Sequence, residues 1–200
     1  MKKQFQPTTI RYDGDVSSLR IKQGLLLVRV DMDFYRNFSG IEVAETWADL
    51  SPDYAGRHGE VIITTDDYIP KGVVVFFSYM SALSADRIIS SGDTYFLVDR
   101  RWCFLMVQDG IKMLNGYLLA ENIKDDNNLL VQYDEKSFWA KVHHAGELDK
   151  DNAHPNIYPG DVVLYRMALE VKLEGLKKYM DRDYRVLQRA FCIAKRHDEG

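Results

Sequence analysis

Cysteine, proline and long apolar runs are what this chain has least of, and each shortage closes off a class of protein. Its 200 residues hold only two cysteines, Cys103 and Cys192, and five prolines. Two thiols cannot staple a disulfide scaffold, so a reducing compartment is expected. No apolar run approaches the length of a membrane span. The start, Met1-Lys2-Lys3, is basic but opens onto no apolar stretch, so no secretion signal is read. Nor does positive charge predominate, with 26 Lys and Arg against 30 Asp and Glu. A net charge of −4 argues against a nucleic-acid partner gripped through its phosphates. Sequence patterns that carry chemistry are also missing: no nucleophile elbow, no glycine-rich phosphate cradle, no zinc spacing. The expectation is a soluble, cytoplasmic chain, not an enzyme, with no cofactor and with neither nucleic acid nor membrane as partner.

What is present is β-like. The apolar fraction of 46% is that of a globular protein. Residues 1–20 are polar and mixed, an arm or a loose first strand. Leu25-Leu26-Leu27-Val28-Arg29-Val30 is a short run rich in branched residues. A polar stretch over residues 31–56 follows, long enough to suggest a functional loop. Glu60–Ile63, Gly72–Phe77 and Tyr95–Val98 are further strands, each bounded by Gly, Asp, Ser or Pro. Many short strands at this spacing point to a barrel or sandwich.

After Gln108 the pattern restarts. Gly116-Tyr117-Leu118-Leu119 echoes Gly24-Leu25-Leu26-Leu27, and Gly160–Tyr165 echoes Gly72–Phe77. The segment from Tyr95 to Phe104 aligns without gaps on Tyr184 to Ile193. Tyrosine, arginine (Arg100 and Arg189) and cysteine coincide, and the aromatic before each cysteine is Trp102 or Phe191. An ordered set of echoes indicates an internal duplication. The division read from it is an arm over 1–20, a first β unit over 21–108 and a second over 109–197. Leu169, Val171 and Leu173 alternate with charged residues, which predicts a strand rather than a helix.

The side chains able to carry chemistry have plainer readings. His143-His144 are neighbours on a strand, which places them on opposite faces and makes a shared metal unfavourable. The two cysteines belong to separate units and read as buried core residues. Asp66-Asp67 and Asp125-Asp126 sit where turns favour aspartate. Lys177, Lys178, Arg182, Arg185 and Arg189 read as a solvated or assembly surface. Trp47 or Phe38 could anchor a partner or pack its own loop onto the barrel.

In the second unit, Ile157-Tyr158-Pro159-Gly160-Asp161-Val162-Val163-Leu164-Tyr165, then Glu170-Val171-Lys172-Leu173-Glu174-Gly175, then Tyr184-Arg185-Val186-Leu187 resemble the C-terminal half of the GroES-type co-chaperonins. Phe191–Ala194 stands at that family's last strand. In the first unit, Leu25–Val30 is similar to the family's first strand. Ser39-Gly40-Ile41-Glu42-Val43 stands at its flexible loop, and Arg57-His58-Gly59-Glu60-Val61 is similar to its Arg-Gly-Glu-Val. The resemblance spans most of residues 21–197. It implies an all-β fold of two tandem GroES-like small β-barrels and a homo-oligomeric ring. It also implies docking on a chaperonin through Gly40, Ile41, Glu42 and Val43, with Leu129, Leu130 and Val131 as the second unit's counterpart. Glu42 interrupts the apolar triplet, and a carboxylate in an apolar groove is costly unless it points to solvent. The alternative function is a phage virion structural or adaptor protein that reuses the barrel for assembly among other virion proteins.

Overall fold

The computed structural model describes residues 8–31, 56–78, 81, 85–123, 137–147, 156–166, 170–172, 178–179 and 184–197. Within them the chain is built of β-strands and short 3-10 turns. Eight strands form the first sheet: β1 (Thr9–Arg11), β2 (Leu25–Val30), β3 (Gly56–Thr64), β4 (Val74–Ser78), β5 (Arg87–Ser90), β6 (Asp93–Asp99), β7 (Cys103–Val107) and β8 (Ile111–Met113). Six form the second: β9 (Tyr117–Ile123), β10 (Ser137–Ala145), β11 (Asp161–Arg166), β12 (Glu170–Lys172), β13 (Tyr184–Gln188) and β14 (Cys192–His197). The expected all-β class holds.

The spatial orders show the duplication. The first sheet runs β1-β5-β6-β2-β3-β4-β7-β8, and the second runs β12-β13-β9-β10-β11-β14. Without β1 and β8 at its edges, the first order is the second order step for step. Irregularities repeat as well. The β2–β3 ladder shifts after Leu27↔Ile63, skipping Ile62, and the β9–β10 ladder shifts at Leu119↔His144, skipping His143. The β4–β7 ladder skips Phe104 and the β11–β14 ladder skips Ile193. Such bulges insert one residue and bend the strand. Gly24 and Gly116, and Gly72 and Gly160, enter matching strands at positive φ, between 72° and 97°. That region is open to glycine at little cost, which explains the echoes seen in the sequence.

Each sheet curls on itself. β6 and β7 lie four ladder steps apart, about 19 Å on a flat sheet at the usual strand spacing. Yet the 3-10 turn Arg100–Trp102 alone joins them. Four residues reach at most about 14 Å, so the sheet must bend until those strands approach. The turn Arg189–Phe191 imposes the same on β13 and β14. Inner faces then meet as two cores. Leu26, Val28, Phe77, Phe96 and Cys103 belong to the first, and Leu118, Ala120, Tyr165, Leu187 and Cys192 to the second. The ladders leave both sheets open among the described residues.

Chain continuity between the sheets is tight. Residues 111–113, which follow the restart at 109, pair as β8 with β7 in the first sheet. The chain crosses over at Asn115-Gly116, both at positive φ (51° and 72°), with the Tyr117 N–H bonding the Leu114 carbonyl at 3.0 Å. This is the two-residue turn that Asn-Gly favours. Asn115 also donates from Nδ2 to the carbonyls of Arg100 and Cys103, both at 2.9 Å. The arm is not loose over residues 8–19. β1 pairs in parallel with β5, and Val16 on the 3-10 turn Val16–Ser18 is buried.

Candidate functional site

The expected partner-binding residues Gly40, Ile41, Glu42 and Val43, and Leu129, Leu130 and Val131, lie outside the described residues, as do Trp47 and Phe38. What is described is where their segments are rooted. Residues 32–55 connect β2 to β3, and residues 124–136 connect β9 to β10. These are the same hairpin in the two repeats. Each root carries paired charge or polar groups. Arg29 Nη2 meets Glu60 Oε2 at 2.5 Å, and Arg29 Nη1 lies 3.7 Å from Asp93. In the second sheet the matched pair is reversed, with Glu121 opposite Lys141. Glu121 also lies 3.3 Å from His143 Nε2, and Tyr165 donates to Asn122 Oδ1 at 2.7 Å.

The other prominent feature is a third apolar cluster, where outer faces of the two sheets meet. The first sheet supplies Phe76, Leu105 and Met113 with the bulged Phe104, and the second supplies Leu119, Tyr184 and Val186. All seven are buried. Phe104 and Tyr117 meet edge to face at 4.9 Å, and Tyr179 meets Phe76 at 6.0 Å. His58 stacks on Phe76 at 5.0 Å. Burial pushes its pKa down to about 4; Lys178 and Arg57 add to the fall, and Asp31 opposes it.

Two sequence expectations change here. The bulge at His143 breaks the alternation that would separate the histidine pair. His143 packs edge to face on Tyr184, and His144 stands opposite Leu119, so both take the outer side. Both are partly buried, and His144 is held below the usual histidine range by burial and then by His143. Among the described residues no three His, Cys, Asp or Glu side chains gather as a metal site.

Arg189 is the second change. It is buried rather than part of a solvated surface. Its guanidinium donates to the carbonyls of Gly116 (3.4 Å), Ile157 (3.0 Å) and Gly146 (2.8 Å). It thereby ties three connecting segments around the second core. Arg100, its counterpart, is half exposed and pairs with Asp66 at 2.5 Å. The alignment of the two arginines was the signal, but charge alone argued for solvent. Lys178 is exposed and Arg185 partly buried. Asp66 also caps its own turn, accepting from Tyr68 N at 2.8 Å, as expected of a turn aspartate.

Cys103 and Cys192 are free, buried and in different cores. Burial raises both thiols, that of Cys192 to about 11, which removes the reactive thiolate. Trp102 and Phe191, the aromatics before them, are 49% and 37% exposed, so the matched pair faces solvent. Among the described residues no helix is long and apolar enough to cross a membrane. No protein-family model matches the chain, and no curated protein matches it either.

Proposed function

We propose that this chain is a co-chaperonin-like, ring-forming protein built of two tandem, divergent GroES-like β-barrels. It contacts a chaperonin through the segments bearing Gly40-Ile41-Glu42-Val43 and Leu129-Leu130-Val131. The observation that carries this reading is the repeat of strand order with both bulges, together with long segments rooted at the same hairpin of each copy. The curling of each sheet, forced by a three-residue turn between distant strands, supports the barrel. Docking would use an extended segment that orders on binding, which keeps the contact reversible. The protein acts in the cytoplasm, as a binding protein rather than an enzyme, and without a cofactor. The test is capture by a chaperonin with ATP, comparing wild type with Ile41→Ser. Wild type should be retained and the variant lost; no ATP-dependent capture of wild type would refute the reading.

The second reading is a phage virion structural or adaptor protein. The ordered N-terminal segment, packed across the first sheet's outer face, favours it. Electron microscopy of the protein alone and in its native assembly separates the two. A fixed partner interface inside a particle would support the adaptor.

A further inference from the structure

The contact between the two sheets is head-to-tail. The first sheet offers the outer side of β4, β7 and β8, its back face, and the second offers the outer side of β9 and β13, its front face. Because the strand orders are the same, each sheet has both faces. The first sheet's front face is Leu27, Leu97 and Tyr95, the register counterparts of Leu119, Val186 and Tyr184. It is apolar and covered, but by residues 12–21 of its own chain: Val16 with Tyr12, Leu19 and Ile21. The N-terminal segment thus occupies the place where, one repeat later, a whole sheet docks.

Among the described residues, the other end of the series has no such cover. The second sheet's back face carries Leu164, Ala194 and Ile193, the counterparts of Phe76, Leu105 and Phe104. Phe76, Leu105 and Phe104 are at most 3% exposed, whereas Ile193 is 53% exposed and Ala194 is exposed too. Arg196 stands where the first sheet has Val107, over the ring of Trp139 at 4.9 Å. At the edge of the capped front face, Asp93 accepts from Tyr95 at 3.2 Å. Arg196 thus puts a positive charge beside the open face, while the capped face's rim is mixed, with Asp93 and Glu60 flanking Arg29.

We propose that the back face of the second sheet is a docking surface for a second copy of this chain, whose first sheet presents its front face once residues 8–21 have swung off. The intermolecular contact then repeats the one inside each chain. A heterologous contact of this kind closes into a ring when its rotation permits; for that closure the proposal rests on the ring-forming reading, while chaperonin capture is tested separately. The cap begins on a slight element. β1 is three residues long, all exposed, on a sheet edge. The ties of this segment include the Thr8 N–H to Asp86 Oδ1 at 3.0 Å, the Arg87 N–H to the Thr8 carbonyl at 2.8 Å, the Tyr12 N–H to the Ile89 carbonyl at 3.0 Å and Ser90 Oγ to the Gly14 carbonyl at 3.3 Å. A short exposed edge strand opens at low free energy, whereas lifting Val16 and its apolar neighbours uncovers area that the incoming sheet would cover again.

The experiment is sedimentation velocity of the full chain across a concentration series. Val16→Asp puts a charge under the cap, and Asp86→Ala removes an exposed tie without touching the apolar contact. Val16→Asp should associate at concentrations at least about tenfold lower than wild type, equivalent to about 1.4 kcal/mol, and Asp86→Ala at about two- to threefold lower, as loss of one exposed hydrogen bond allows. Adding Ile193→Asp on the open face should abolish that gain. Circular dichroism checks that each chain is folded, and Asp86→Ala decides the matter if Val16→Asp is not. A folded, cap-loosened chain that sediments like wild type overturns the proposal. So does association that Ile193→Asp leaves unchanged, which would mark the second sheet's back face as a solvated terminal surface.

Discussion

Arg189 and Arg100 stand at the same step of the repeat, and their surroundings give them different weights. Arg189 satisfies three carbonyls from inside the protein, so truncation would leave them without its donors. Arg189→Met should cost about 2–4 kcal/mol, in line with charged hydrogen bonds and broken buried networks. Arg100→Met should cost under about 1 kcal/mol, because a half-exposed ion pair contributes little. Urea midpoints for the two variants check the contrast, and equal losses would contradict it. His58 makes a prediction about acid. Its pKa falls from 6.5 to about 4 on folding, so between those values the unfolded chain binds the extra proton. Stability is then complete above about pH 6.5 and is lost as pH drops toward 4, by on the order of 3 kcal/mol. His58→Phe should flatten that slope in a pH series of denaturation curves.

Among the elements, strand β3 shows most plainly how repeat and local packing part ways. By register Gly59 corresponds to Ala140, which is buried in the second sheet. In the first sheet a Cβ at residue 59 would run into the Arg29 carbonyl oxygen and stand 2.7 Å from Val28 Cγ1. Backbone cannot yield as a side chain end can, so Gly59→Ala should destabilise by about 2–3 kcal/mol. A thermal melt unchanged from wild type would show that β2 and β3 separate more easily than their ladder suggests. β7 and β14 differ for a related reason. Cys-Phe-Leu-Met-Val is apolar on both sides because both sides are covered. Cys-Ile-Ala-Lys-Arg-His keeps the inward cysteine, while its outer side carries the exposed Ile193, Ala194 and Arg196.

For the molecule as a whole, the apolar contact between the sheets couples two cores that each lie within one repeat. Interfaces between domains of one chain are often more polar than this and allow relative motion. Here seven buried side chains bind the sheets, so wild type should unfold in one calorimetric transition. Leu119→Asp places an unpaired charge between them and should split the transition in two. Leu27→Asp, its counterpart under the N-terminal cap, should lower stability without uncoupling the sheets. A single transition for Leu119→Asp would mean the cores depend on each other by another route.

The sequence by itself determined the duplication and the strands β2, β3, β4 and β6, but not β5 or β8, whose short stretches carry little pattern. Alternation of side chains and glycines at positive φ are local properties, so Gly24 with Gly116, Tyr95 with Tyr184 and Cys103 with Cys192 could be matched from residues alone. It also marked the long polar stretch of the first unit over residues 31–56 and a shorter one around Leu129-Leu130-Val131 in the second. Tertiary structure decided what lies against each outer face. Nothing local distinguishes Leu27, covered by the chain's own N-terminal segment, from Leu119, covered by the other sheet. Nor could charge pattern show that Arg189 turns inward or that a bulge sets His143 and His144 on one side. Burial is fixed by what docks from elsewhere in the chain. The matched strands that end at Cys103 and Cys192 are alike inside and unlike outside for that reason.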